Sequence, residues 1–235
     1  MPDERPNIVL LTSDQQKFSA SRMGGNTRLI TPAADRLAAE GVNFTRCFVQ
    51  SPLCQPSRTS ILTGTYPQEH GVMGNSSRTD GVPPDREMFQ EILGANGYRC
   101  GAVGHLHANK GFSRGFDWIL DMHESPIVES VRPVREYSEE HAPQTEYGWV
   151  GWWCDTSPVP EEESTAALIT NQAIDFMDRT KEPFYLHVSH EDPHPPYMVA
   201  PPYDTMYDPD DIELPGDPDW DKAIGRLKQL SKEAG

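Results

Sequence analysis

Cys54 stands in the stretch Pro52-Leu53-Cys54-Gln55-Pro56-Ser57-Arg58-Thr59-Ser60-Ile61-Leu62-Thr63-Gly64. Proline suits the first turn of a helix, where its missing N–H costs nothing, so Pro56 puts Cys54 just before a helix N-terminus. The free N–H groups of such an end favour anions, and Arg58, one turn along, adds positive charge. A thiol there is expected to have a lowered pKa and to act as a nucleophile. An isolated cysteine in the same place also reads as a packed side chain ahead of a capped helix.

Three further groups could do chemistry. Asp14 and Gln15 follow the apolar run Asn7 to Thr12 and offer oxygen donors that suit a hard cation, although Asp-Gln in a loop is also an ordinary turn. His105 and His107, in Gly104-His105-Leu106-His107, are spaced i and i+2 beyond another apolar run, as a metal pair or as two solvated rings. His194 sits in Asp192-Pro193-His194-Pro195-Pro196-Tyr197, where the prolines stiffen a loop that could aim it or merely carry it.

The elements that must position these residues alternate. Asn7 to Thr12 predicts a buried strand opening into a loop. Thr31-Pro32, then Ala33 to Glu40 and Gly41, carries a helix's punctuation. Val42 to Val49 reads as the next strand, with Cys47 packed in it; Asp85 to Asn96 as a helix ending at Gly97; and Tyr98 to Val103 as a strand packing Cys100. Periodicity fails from Phe112 to Pro160, where Trp118, Trp149, Trp152, Trp153 and Cys154 are scattered among Pro, Gly and acids, so this reads as a loop-rich excursion. Glu162 to Arg179 restores helical spacing and Phe184 to Ser189 the strand after it. His190 to Pro218 is a Pro/Asp-rich loop, and Trp220 to Lys232 a last helix. Strand and helix in turn predict an α/β fold, a mostly parallel sheet flanked by helices, with sites at the strands' carboxyl ends.

Composition narrows the function classes. With 36% hydrophobic residues in 235, the chain can bury a core, while 22 prolines leave room for long loops. The formal net charge of −16 argues against general affinity for nucleic acid or anionic membrane. Residues 1–120 sum to +1 and residues 121–235 to −17, so an anionic substrate would be held by the first half. No run approaches the roughly 18 apolar residues of a membrane helix, and Met1 to Pro6 is too short for a secretory signal, which predicts a cytoplasmic protein. The four cysteines show no CxxC spacing.

The motif C-x-P-S-R followed by TSILTG closely resembles the modification signature of type I sulfatases, of the alkaline-phosphatase-like superfamily. RPNIVLLTSDQQ resembles that family's first strand and metal loop, and residues 5–75 follow its pattern almost without gaps, with patches to about residue 203. The resemblance implies that Cys54 is oxidised to formylglycine by a formylglycine-generating enzyme. It implies that Asp14, Gln15 and the residue-54 oxygen ligate Ca²⁺, or Mg²⁺ or Mn²⁺, and that Arg58 stabilises the attacking oxygen. His107 would contact the formylglycine hydroxyls as a base, His194 would protonate the leaving group, and Asn75, in His70-Gly71-Val72-Met73-Gly74-Asn75, would lie near the substrate. His105 replaces a lysine that would hold the sulfate, which predicts charge under pH control. Gln15 replaces an acid of many relatives, making the site less negative.

The implied activity is hydrolysis of a small anionic sulfate ester. A phosphonate monoester or phosphodiester hydrolase, and an inactive fragment, are the alternatives. The family's second metal-ligand pair, an Asp followed by Asn or His, has no match among the acids of residues 204–221, nor does the basic residue after it. Residues 1–235 are therefore expected to be the N-terminal catalytic portion of a longer sulfatase domain, with association into a homo-oligomer left open.

Overall fold

The computed structural model describes residues 5–75, 81–107, 111–123, 127–142 and 154–212. The chain divides into two units, Met1–Ala200 and Pro201–Gly235.

In the first unit β1, Ile8–Ser13, is followed by the helices α1, Pro32–Glu40, α2, Cys54–Thr63, α3, Pro67–His70, and α4, Phe89–Ala95. Then come β2, Arg99–Gly104, β3, Trp118–Asp121, α5, Ile127–His141, and β4, Cys154–Thr156, with α6, Thr165–Arg179, β5, Phe184–His190, and β6, Tyr197–Val199, completing the order. Four strands form one sheet in the order β1-β5-β2-β3. Every pair in it is parallel, with Ile8 opposite Tyr185, Arg99 opposite Phe184 and Gly101 opposite Trp118. The predicted parallel α/β architecture is therefore present, and all carboxyl ends of the sheet point one way.

The central strands are covered on both faces, β5 in all but its last residue and β2 in all but its first, whereas β1, at the edge, is only half covered. On one face Val103, Leu186 and Val188 pack with Ile169, Ala173 and Phe176 of α6 and with Ile127 of α5. Phe176 meets Phe184 edge-on at 5.8 Å and stacks on Trp118 at 5.2 Å. On the other face Ala102 packs with Leu62 of α2, Met88 and Phe112. Cys100 is buried there, its thiol donating to the Gln90 carbonyl at 3.3 Å.

Several expectations are corrected. Val42 to Val49 is not a strand: it runs irregularly with every residue exposed, and Cys47 is exposed with it rather than packed. An apolar run becomes a strand only where a neighbour pairs with it and covers it, and no described strand pairs with residues 42–49. The stretch from Phe112 to Pro160 is not merely an excursion, since it supplies the edge strand β3 and the 15-residue helix α5. Four residues are too few to display a period, and Pro133 inside α5 hides the helix that surrounds it. The helix predicted over Asp85 to Asn96 begins only at Phe89, after a turn in which the Arg86 N–H donates to the Pro83 carbonyl, and Glu91 caps it by accepting from the Met88 N–H at 2.9 Å. Helix α6 starts at Thr165 because Ser164 accepts from the Ala167 N–H at 3.1 Å. Within the Pro/Asp-rich loop β6 pairs in parallel with β4. Trp149, Trp152, Trp153 and the predicted helix Trp220 to Lys232 lie outside the described residues.

Of the second unit, residues 201–212 form two 3₁₀ turns, Tyr203–Thr205 and Pro209–Asp211. The Asp208 carboxylate heads the latter by accepting from the Asp210 N–H at 3.0 Å.

Candidate active site

The carboxyl ends of β1, β2, β3 and β5 meet around Asp14. Its N–H donates to the His190 carbonyl at 3.1 Å, which extends the β1–β5 pairing one residue past the strand and fixes the carboxylate in a buried place. Arg58, one turn into α2, reaches the same spot: Nη2 donates to Asp14 Oδ2 at 3.2 Å and Nη1 to Ser189 Oγ at 2.8 Å. The Ser189 hydroxyl in turn donates to the His105 carbonyl at 2.7 Å. This chain of bonds joins β1, α2, β5 and the end of β2.

Gly104 makes the last junction. Its φ of +106° is open to glycine, and a Cβ there would overlap the Ser189 carbonyl oxygen. The turn it allows brings the His105 N–H to the Ser189 carbonyl at 2.7 Å and His105 Nε2 to within 3.6 Å of Asp14 Oδ2. His107 and Gln15 adopt positive φ values of 46° and 59°, a conformation side chains seldom hold without support from surrounding structure.

Cys54 is the first residue of α2 rather than the residue just before it, so the helix begins earlier than predicted, with Leu53 at the cap position. Its thiol donates to Asp14 Oδ1 at 3.7 Å. Asn75 accepts from the Gln55 N–H at 3.1 Å, so it caps the N-terminus of α2. Asp14, Cys54 and His107 each offer a ligand atom, all within 4.8 Å of one another. Among the described residues they form the one group of three His, Cys, Asp or Glu side chains so placed. His107 Nδ1 is buried and has no hydrogen-bond partner among the described residues. The Asp14 carboxylate and the residue-54 side chain suit a divalent cation, Gln15, exposed beside Asp14, belongs to the same loop, and a His107 ring nitrogen lies within 4.8 Å of the first two.

The electrostatics differ from expectation at two residues. Burial raises the Cys54 thiol pKa, and the Asp14 charge adds to it, outweighing the lowering effects of Arg58 and Asn75; the predicted depression is not found. Burial, reinforced by Arg58, pushes His105 down to about 3, so the ring is neutral through the pH range in which it was expected to switch. The Asp14 charge opposes that shift without reversing it. His107 is lowered by the same two causes in the same order.

His194 lies close by, its ring 6.3 Å from that of His105. Its Nδ1 is within 2.7 Å of the Pro195 carbonyl, which fixes Nδ1 as the protonated nitrogen and leaves Nε2 for a proton exchange. His123, not singled out from the sequence, also belongs here, 5.8 Å ring to ring from His105. It follows β3, and only recognition of that strand would have placed it at a carboxyl end of the sheet.

A family model described as Sulfatase matches residues 6–219. The chain belongs to the sulfatase family. This sulfatase chain is 30% identical over 201 residues to N-acetylglucosamine-6-O-sulfatase of Bacteroides thetaiotaomicron, covering 84% of this chain and 32% of the relative. It is 30% identical over 220 residues to an ulvan-active sulfatase of Formosa agariphila, covering 89% and 40%. It spans about a third to two fifths of the length of these two relatives. Among solved structures, the phosphonate monoester hydrolase of Agrobacterium radiobacter shares its alkaline-phosphatase-like fold, with TM-score 0.72, 23% identity, and coverage of 89% of this chain and 45% of that one. An enzyme solved in complex with its substrate D-glucosamine-2-N,6-O-disulfate matches with TM-score 0.61 and 26% identity, over 84% and 36% of the two chains.

Proposed function

We propose that this sulfatase chain hydrolyses a sulfate ester, with residue 54 in its formylglycine form as nucleophile and a divalent cation, Ca²⁺ or a similar hard ion, held by Asp14, Gln15 and residue 54. The observation that carries this reading is the meeting of Cys54, in C-x-P-S-R at the head of α2, with Asp14 at the end of β1, the two linked at 3.7 Å and braced by Arg58. When bound, the cation and the formylglycine would supply an acidified hydroxyl able to attack sulfur.

The chain's own residues do the rest. Arg58 and the positive end of the α2 dipole favour a tetrahedral anion over residue 54. A neutral His105 brings no charge to the substrate, its Nε2 facing Asp14 at 3.6 Å and its Nδ1 the Met122 sulfur at 2.9 Å. His194 protonates the leaving oxygen through Nε2, and His107 takes a proton at the residue-54 side chain in the second half of the reaction, each step of this kind contributing about 10²–10⁴ in rate. Loss of one histidine therefore cripples turnover, and loss of Cys54 abolishes it. The test is mass spectrometry of the Cys54 peptide after co-expression with a formylglycine-generating enzyme. A mass lower than that of the thiol, as the aldehyde requires, is the expected result, and a peptide carrying only the unmodified thiol would remove the basis of the reading.

A further inference from the structure

A cavity of about 700 Å³ opens beside the site, within the size range of pockets that take small ligands. Val128, Val131 and Val134 of α5 line it, as do Val159, Pro196 and Met198. His123 and His194 line it as well, and both rings stand close to His105, 5.8 and 6.3 Å away, with His105 Nε2 3.6 Å from Asp14. The cavity thus begins where the leaving group of a substrate held over residue 54 would point.

Part of its polar lining is engaged elsewhere. The Ser138 hydroxyl donates to the Val134 carbonyl at 2.8 Å, Ser157 Oγ accepts from the Val159 N–H at 3.3 Å, and Ser164 Oγ accepts from the Ala167 N–H at 3.1 Å. The two arginines are paired along α5 itself, Arg132 with Glu129 at 2.6 Å and Arg135 with Glu139 at 3.0 Å. The acids Glu191 and Asp192 lie at the His194 end and would repel a second anionic group there. A sugar lying against Val128, Val131, Val134, Val159, Pro196 and Met198 would lose water from its hydroxyls and gain no partner from those side chains, which costs free energy at each one. A hydrocarbon group loses nothing comparable and gains with every carbon buried.

We infer that this cavity receives the organic part of the ester and selects an apolar alcohol, an aryl or medium-chain alkyl group, over a polyhydroxylated sugar. The inference rests on the reading of the Cys54 end as the sulfate site. Two probes separate the parts: 2-naphthol, uncharged and fluorescent, reports on the cavity alone, and methyl sulfate on the anion end alone.

With the 235-residue chain, fluorescence and calorimetry are expected to show 2-naphthol bound and displaced by hexyl sulfate. Hexyl sulfate should bind tighter than methyl sulfate by at least about tenfold, since five more methylenes leave water. Glucose 6-sulfate should bind no tighter than methyl sulfate. Val159→Trp and Val134→Trp, which fill the cavity from two different segments of the chain, should each remove 2-naphthol binding while melting at the temperature of the parent; if either fails to fold, the ligand series on the parent decides. No binding of 2-naphthol, equal affinity for hexyl and methyl sulfate, or tightest binding of the sugar sulfate would overturn the inference. If 2-naphthol binds but neither methyl nor hexyl sulfate binds the chain, the cavity is real and the sulfate reading at Cys54 fails, taking with it the assignment of the cavity to a sulfate ester.

Discussion

The Asp14–Arg58 pair is the residue-scale feature on which the site depends. Both side chains are under 10% exposed, so each charge is out of water and relies on the other. Replacing Arg58 by Ala leaves a buried carboxylate without its cation, a change that costs about 3–5 kcal/mol. Urea denaturation of Arg58→Ala should show a loss of that size, and the double variant with Asp14→Ala should recover part of it; a loss below about 1 kcal/mol would mean that water reaches Asp14. His187 gives a second residue-scale expectation. Its ring lies in the core, 3.3 Å from Thr12 Oγ1, and burial pushes its pKa from 6.5 down to about 3. Between those values the unfolded chain binds a proton that the folded one refuses, so stability is complete above pH 6.5 and falls as pH drops toward 3. The contribution of one such group approaches about 1.4 kcal/mol per pH unit. His187→Gln should therefore make the fall in stability from pH 6.5 to pH 4 shallower than in the parent, as measured by denaturation at a series of pH values.

At the scale of elements, the site is a set of strand ends and one helix end brought into register. The parallel pairing of β1, β5 and β2 places Ser13 opposite His190 and Gly104 opposite Ser189, so Asp14, Ser189 and His105 emerge at one level. Gly104 carries that arrangement, because its left-handed backbone lets β2 end against the Ser189 carbonyl. Gly104→Ala is expected to destabilise by more than about 1 kcal/mol from the backbone alone. The clash should also displace His105, seen as altered imidazole signals of His105 in NMR spectra. A variant as stable as the parent, with unchanged imidazole signals, would show that the turn does not need glycine. Helix α2 is held by a second device. The Val72 N–H donates to His70 Nδ1 at 3.1 Å, which leaves His70 Nε2–H to donate to Ser60 Oγ at 3.0 Å and tie α2 to the chain after α3.

For the whole molecule, charge and apolar surface act against each other. A net charge of −16 repels copies of the chain, while Phe44, Phe48, Val42 and Val49 are each more than 65% exposed, and Leu11 of the edge strand is 60% exposed. Contiguous apolar surface promotes association, and salt shortens the range of the opposing repulsion from about 10 Å at 0.1 M to about 3 Å at 1 M. Sedimentation velocity should therefore show association increasing between those salt concentrations, with Phe44→Glu and Phe48→Glu together reducing it. Association that weakens with added salt would point instead to complementary charges. No described helix is long and apolar enough to cross a membrane.

The sequence alone determined the parallel α/β class, the strands leading to Asp14 and His105, the helix headed by Cys54, and most of the residues that gather at the site. These are local matters: buried parallel strands are continuous apolar runs, helix starts are marked by proline, and the motif around Cys54 is contiguous. Only the tertiary structure decided that Val42 to Val49 stays unpaired, that β3 and α5 arise within an irregular stretch, and that His123 joins the site. Each of these depends on which strand finds a free neighbour, a long-range choice that no local pattern records. The electrostatics were likewise a tertiary matter. Helix N-termini and arginines lower a thiol's pKa wherever they occur, but at Cys54 burial and the Asp14 carboxylate outweigh them, and at His105 burial removes the charge that its replacement of a lysine had suggested.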